Sequence, residues 1–296
     1  ERIRATGLDK ETVYTCYVTD DSRKLIGLTT VRDMIIAGND AAVGDIMMTS
    51  IISVDTMTDK EEVAKLLAKY DFLALPVVDN ENRLVGIVTF DDAIDVIKEE
   101  DTEDIEIMAA ISPSDKPYLR TGVFETWCKR IPWLLLLMVS ATFTSQILLR
   151  FENALAAQAA LVAYIPMLMD TGGNAGNQVS TLIIRGLAVG KLEPRDYFKI
   201  VFKELRVAIL CGTALGAVNI LRMYLFCDGT LQMFFVVSLA MFCAVIVAKL
   251  IGCTLPIIAK LIKLDPALMA GPMITTIVDI ITLIIYFSLA NLLLIH

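Results

Sequence analysis

The chain has 296 residues and a net charge of −8, from 26 Lys and Arg against 34 Asp and Glu. The charge is split: residues 1–129 carry 14 basic and 26 acidic side chains, residues 130–296 carry 12 and 8, and the second part is far more apolar. That excludes a uniform soluble globule, a disordered chain and a nucleic-acid binder, whose footprint would be basic. An acidic soluble domain attached to a membrane domain fits the split. Six cysteines lie scattered without CxxC spacing and the only histidine is His296, so a zinc-type site has almost no ligands and no disulfide framework is suggested. Hard, oxygen-seeking cations stay open, because carboxylates are plentiful.

The chain opens on Glu1-Arg2-Ile3-Arg4, without an initiator Met and with the character of a helix interior, so it is expected to be a fragment of a longer chain. From there the front is a repeat. Val18–Asp33 and Val77–Asp92 align at an offset of 59, which superposes Asp20 on Asp79, Leu25 on Leu84, Gly27 on Gly86, Thr30 on Thr89 and Asp33 on Asp92. Each copy predicts a strand, a polar turn, a second strand and a helix, the helices over Val31–Ala37 and Asp91–Lys98. The pattern resembles the cystathionine-β-synthase (CBS) repeat, which occurs in pairs. The second copy is complete over 44–99. The same offset puts the start of the first copy before residue 1, so 1–43 is expected to be a partial repeat. The Gly-x-x-Thr-x-x-Asp string (Gly86, Thr89, Asp92; Gly27, Thr30, Asp33) resembles the CBS ribose and phosphate signature, and Phe72 and Pro76 join Thr89 and Asp92 as candidates for binding ATP or another adenine nucleotide. The alternative is that Asp92 and Asp33 only cap or lead their helices.

A carboxylate run follows. Asp91, Asp92, Asp95, Glu99, Glu100, Asp101, Glu103, Asp104 and Glu106 fall within sixteen residues, opposed only by Lys98. On a helix Asp92, Asp95 and Glu99 share one face, as do Glu100, Glu103 and Asp104, and like charges at those spacings repel. A divalent cation would remove the repulsion, so residues 100–126 read either as a cation-sensing connecting helix and linker or as a solvated acidic linker.

Residues 127–296 predict five membrane helices, at about 131–149, 155–185, 200–225, 231–261 and 268–295. Pro166, Pro256 and Pro272 fall inside them. Lys129, Arg130, Arg185, Lys191, Arg195, Lys199, Lys203, Arg206, Lys260 and Lys263 flank one side and only Arg150 and Arg222 the other, which places the amino-terminal domain in the cytoplasm and the carboxy terminus outside. Trp127 and Trp133 bracket the first entry as interfacial anchors would. Inside the spans, Asp170 and Asp279 are costly charges of the kind that marks an ion pathway or an ion pair; for Asp279 the pairing alternative is Lys249. Gly271, Thr275 and Asp279, spaced by four, offer backbone, hydroxyl and carboxylate oxygens on one helical face. Asp170-Thr171-Gly172-Gly173-Asn174-Ala175-Gly176-Asn177-Gln178 suits a water-lined constriction with close backbone approach.

That string, the following Thr181–Ala188, Asp265-Pro266-Ala267-Leu268 and Gly-Pro-x-x-x-Thr-x-x-Asp together resemble the MgtE family of magnesium channels, and the resemblance covers the whole chain in order. It implies a multidomain fold, an α/β CBS pair followed by an all-α polytopic membrane domain. It also implies a homodimer in the lipid bilayer of the plasma or inner membrane, with a central Mg²⁺ pathway at the subunit interface. Asp279 falls on the family's pore carboxylate; Asn177 and Gly173 fall on pore-lining positions, with Asn174, Asp170, Thr275 and Gly271 beside them. Asp59, Glu61, Asp71, Asp92, Asp95, Glu100, Glu103 and Asp104 match its acidic sensor positions, through which intracellular Mg²⁺ closes the gate. Gly271, Thr275 and Asp170 depart from the family pattern, and the resemblance begins after the family's amino-terminal helical domain, which is expected to lie outside these residues. A coupled divalent-cation exchanger and a membrane-anchored nucleotide sensor are the alternatives. No enzyme constellation is visible: there is no internal His, no nucleophile elbow and no P-loop.

Overall fold

The computed structural model describes residues 12–38, 40–114, 116–152 and 159–294. The expected beginning of the first repeat, the first residues of the span predicted from 155 and the carboxy-terminal residue of the last span lie outside these. The chain divides into two compact units, Glu1–Thr102 and Glu103–His296.

In the first unit, β1 (Thr15–Thr19) and β2 (Leu25–Thr30) form an antiparallel hairpin leading into α1 (Val31–Ile36) and the short α2 (Val43–Ile46). β3 (Val54–Asp55), α3 (Lys60–Tyr70), β4 (Ala74–Val78) and β5 (Leu84–Thr89) follow, with β3 parallel and β5 antiparallel to the central β4. The 59-residue offset holds to the individual hydrogen bond. Thr15 pairs with Thr30 as Ala74 pairs with Thr89, and both hairpins shift register at the same place, between Val18 and Thr19 and between Val77 and Val78. Each turn closes on an aspartate whose Oδ1 accepts a backbone N–H, Lys24 to Asp20 at 2.8 Å and Arg83 to Asp79 at 2.9 Å. Each turn also holds one residue at positive φ, Arg23 (66°) and Asn82 (61°); asparagine tolerates that region better than arginine. The two hairpins meet through Leu25 N to Asn82 O and Leu84 N to Arg23 O, so the repeat builds its own pseudo-twofold. Leu67 and Leu75, both fully buried, centre a core with Val54, Val63, Ala64 and Ala93.

The helix expected over Asp91–Lys98 is α4, Phe90–Met108, and it runs unbroken through the carboxylate run. The repulsion at those spacings is offset in part by cations: Lys98 pairs with Asp95 (3.1 Å), and Lys60 reaches Glu100 (3.1 Å) and Glu99 (3.4 Å).

The second unit is helical: α5 (Val123–Arg150), α6 (Ile165–Ala188), α7 (Tyr197–Phe226), α8 (Leu231–Leu261) and α9 (Pro272–Leu294), with 3-10 turns at Tyr118–Arg120, Ala159–Tyr164, Pro194–Asp196 and Pro266–Met269. Four apolar segments, Val123–Arg150, Pro194–Phe226, Leu231–Leu261 and Pro266–Leu294, are long enough to cross a membrane. α6, rich in glycine and amides, is not among them. α8 is the hub and packs on α6, α7 and α9. Its buried Val236, Val237, Ala240 and Met241 join Leu168, Tyr286 and Phe287 in the largest core cluster. α5 buries no residue, and its Leu134, Leu135, Met138 and Val139 are exposed. Pro166 and Pro272 were expected inside spans; they occupy the first turns of α6 and α9, where the missing N–H costs no helical bond. Pro256, and Pro132 in α5, do sit within helices.

The α6–α8 crossing is backbone on backbone. A Cβ at Gly252 would lie 2.4 Å from the carbonyl oxygen of Gly176. That oxygen belongs to a helix and cannot rotate aside. Gly252→Ala therefore forces the helices apart at a cost of about 1–3 kcal/mol, more than the roughly 1 kcal/mol that alanine contributes to helix propensity. At Gly216 the nearest atom would be 3.5 Å away, so Gly216→Ala keeps the propensity gain. Thermal unfolding in detergent is expected to show a lower Tm for Gly252→Ala and an equal or higher one for Gly216→Ala.

Candidate cation site

α6 and α9 meet along glycines. A Cβ at Gly173 would lie 3.0 Å from Thr275 Cγ2, one at Gly172 3.0 Å from Val278 Cγ1, and one at Gly176 2.8 Å from Ile274 Cγ2. A side chain at these positions would press on its α9 neighbours, so the glycines let the α6 backbone come against the α9 face that carries Thr275. Four residues on, one turn along the same face, is Asp279. It is half-buried and has no hydrogen bond or ion pair among the described residues. Asp170, exposed on α6, is within electrostatic range of it. The pairing of Asp279 with Lys249 weighed above does not occur. Thr275 Oγ1 and Thr276 Oγ1 both donate to the carbonyl of Pro272 at 2.9 Å, which leaves their lone pairs outward as acceptors. Asn177 Oδ1 is buried without a hydrogen-bond partner, as is Ser180 Oγ one turn further along α6.

Gly271, expected on one face with Thr275 and Asp279, stands just outside the helix itself. It precedes the helix at φ 47°, and its carbonyl accepts from Thr275 N at 3.1 Å. A Cβ there would meet the carbonyl of Met108 at 2.4 Å, which together with the positive φ calls for glycine. Asn174 stands apart from Thr275 and Asp279: with Thr171 and Gln178 it lines a cavity between α6, α7 and α8, at Lys249. The spacing of 174 from 177 already separates their directions on a helix by most of a right angle, a signal that the glycine-rich string obscured.

Several of the acidic side chains expected to sense cations have partners within the chain. Asp59 caps α3, its Oδ1 accepting Glu61 N at 2.8 Å, and Glu61 pairs with Lys65. Asp71 ends α3 in the left-handed region. Asp92 accepts from Thr89 Oγ1 at 2.7 Å, as Asp33 accepts from Thr30 Oγ1 at 2.6 Å. The Thr30 hydroxyl holds the Asp33 carboxyl below the usual range. Thr30 and Asp33 form a full capping box, Asp33 N donating to Thr30 Oγ1 at 3.1 Å, whereas at Thr89, only 6 % exposed, the bonds run to the Asp92 carboxylate, Thr89 N donating to it at 3.4 Å. Pro76 is buried in β4, and Phe72 stacks on Tyr70 with ring centroids 5.4 Å apart. Glu100 and Glu99 hold the Lys60 ammonium above the usual lysine range. Asp95 pairs with Lys98; Glu103 and Asp104 continue along α4, both with partners. Among the described residues no three His, Cys, Asp or Glu side chains come together as a metal site. The donors have the hard-oxygen chemistry Mg²⁺ prefers, but the described residues do not gather them into one cluster.

Residues 165–289 match the family model for MgtE, a divalent cation transporter, and residues 43–99 match that for the CBS domain. The chain is 42% identical over 292 residues to the magnesium transporter MgtE of Thermus thermophilus, covering 99% of this chain and 64% of that one. It is 38% identical over 281 residues to the Bacillus subtilis magnesium transporter MgtE, covering 95% and 62%. The chain thus spans less than two thirds of the length of these relatives. Among solved structures, it is similar to the cytosolic domain of the Mg²⁺ channel MgtE in complex with ATP, at 49% identity over 32% of this chain and 38% of that one, with a TM-score of 0.32.

Proposed function

We propose, starting from a chain that carries the MgtE transporter domain behind a CBS domain, that it moves Mg²⁺ across a membrane and that the ion passes Asp279. The observation that carries this is a carboxylate without hydrogen bond or ion pair among the described residues, set in an apolar helix within the matched 165–289 segment. A membrane carboxylate left unsatisfied by its own chain is costly. A hydrated divalent cation would satisfy it, with Thr275 and Asn177 oxygens nearby to hold the water shell.

In this account a second copy faces the first across α6 and α9, so that two Asp279 side chains share one ion. α6 acts as a fifth span, shielded from lipid. The unburied α5 supports a bilayer or a second copy as its surroundings. The CBS side is cytoplasmic and the carboxy terminus external, and the partition at 1–43, 44–99, 100–126 and 127–296 stands as proposed. The acidic side chains at 59, 61, 71, 92, 95, 100, 103 and 104 form the sensor, completed only between copies. When internal Mg²⁺ is scarce these carboxylates repel and α4 segments separate; when it is abundant they are held together and the pathway closes. Thr89 and Asp92 with Phe72 and Pro76 are the proposed adenine-nucleotide contacts.

Vesicles reconstituted with the chain are expected to take up Mg²⁺ down its gradient, with flux falling as internal Mg²⁺ rises. Flux equal to that of protein-free vesicles would reject the reading, and ohmic single-channel currents would separate a channel from a coupled exchanger.

A further inference from the structure

Lys249 is the membrane-domain charge that the transport pathway leaves unexplained. It lies in α8, only 5 % exposed, and makes no hydrogen bond or ion pair among the described residues. Arg222, also within an apolar helix, is by contrast held by Asn219 Oδ1 at 2.9 Å. An ammonium held without a counter-charge at membrane depth is costly, so its retention calls for a counter-ion. Lys249 lines a cavity of about 410 Å³ between α6, α7 and α8. The cavity's polar edge is Thr171, Asn174 and Gln178, three side chains with hydrogen-bond donors, and no carboxylate lines it. The rest of the wall is apolar, including Val245 and, on α7, the exposed Leu215.

We propose that this cavity binds a phosphate-type anion, with Lys249 as its charge partner and Thr171, Asn174 and Gln178 as neutral donors. One ammonium and three neutral donors match a group of low charge. The apolar wall and the exposed Leu215 at the rim suit an acyl chain beside it. Depth permits a lipid headgroup as the source. α8 has 31 residues, about 46 Å at helical rise, against a hydrocarbon core of about 30 Å. Lys249 lies twelve residues before its end, about 18 Å, so an overhang at that end brings the ammonium within snorkelling reach of the phosphate layer. The inference stands whether or not the chain moves Mg²⁺, because binding is read without flux.

Native mass spectrometry of the detergent-purified chain tests it with three probes: phosphatidylglycerol, phosphatidylcholine and inorganic phosphate. The wild-type chain is expected to retain phosphatidylglycerol about tenfold over phosphatidylcholine, or to retain inorganic phosphate. Displacement of the lipid by millimolar phosphate assigns the source to the free anion; resistance assigns it to the headgroup. Lys249→Arg is expected to keep the preference and Lys249→Gln to lose it, with melting temperature reporting that each variant is folded. A wild-type chain that holds both lipids equally and takes up no phosphate overturns the proposal, even if Lys249→Gln does not fold. So does an unchanged preference in folded Lys249→Gln.

Discussion

Asp279→Asn is expected to reduce Mg²⁺ uptake into reconstituted vesicles by at least about thirtyfold while leaving the protein folded. The substitution keeps shape and volume and removes one charge from each chain. A unit charge pair at 4 Å is worth about 4 kcal/mol at an effective dielectric of 20, and about twice that for a divalent ion. If only a quarter of that survives the cost of stripping water from Mg²⁺, about 2 kcal/mol is left, or about thirtyfold in rate. Because Asp279 has no hydrogen bond or ion pair among the described residues, its amide breaks no structural network, and the melting temperature is expected to stay level or rise as a buried charge is relieved. Loss of flux with loss of fold would make the residue structural. Undiminished flux in a folded variant would remove Asp279 from the pathway.

Neutralising Glu100, Glu103 and Asp104 together, as Glu100→Gln, Glu103→Gln and Asp104→Asn, is expected to raise the internal Mg²⁺ needed for half-closure by about tenfold, because the charge count of an oxygen site sets its cation affinity. Lys60→Gln is the opposing control. Its ammonium now bridges Glu99 and Glu100, so removing it frees both carboxylates, and half-closure is expected at lower internal Mg²⁺. Flux measured against internal Mg²⁺ reads both. A pair of variants that shift together, or not at all, would return the run to an acidic linker.

Much of the front was legible because a repeat checks itself. The 59-residue offset carried Asp20 onto Asp79 and Thr30 onto Thr89, and the hydrogen bonds follow it, since the same side chain closes the same bond in each copy. That α4 is one unbroken helix was not legible: the repeat pattern placed a helix over Asp91–Lys98 and the acidic run a separate connecting helix from residue 100, and the Lys60 that offsets the carboxylates comes from α3, nearly forty residues earlier in the chain. In the second unit, charge-free stretches pointed to the long helices, and the span expected at about 231–261 coincides with α8, Leu231–Leu261. Side-chain direction was harder. Gly271 fitted a spacing of four yet lies before the first turn of α9, because helix starts are decided by backbone torsions and not by periodicity. Asn174 and Asn177 looked equivalent in a string of small residues, but only the second has an orphaned buried oxygen. Lys249 was legible as a charge near a span end that could snorkel, or as a partner for Asp279; that it lines a cavity of its own depends on how α6, α7 and α8 pack, which no single segment encodes.

The claim that Mg²⁺ passes Asp279 is tested most directly by locating the ion. Mn²⁺, which shares the preference for oxygen ligands, can be diffused into crystals of the chain and found by anomalous scattering. The account predicts a peak beside the Asp279 carboxylate, shared with a second copy, at about 2 Å if bound directly or about 4 Å through a water molecule. A map with Mn²⁺ elsewhere in the membrane domain and none at Asp279, from a preparation that still transports Mg²⁺, would contradict it.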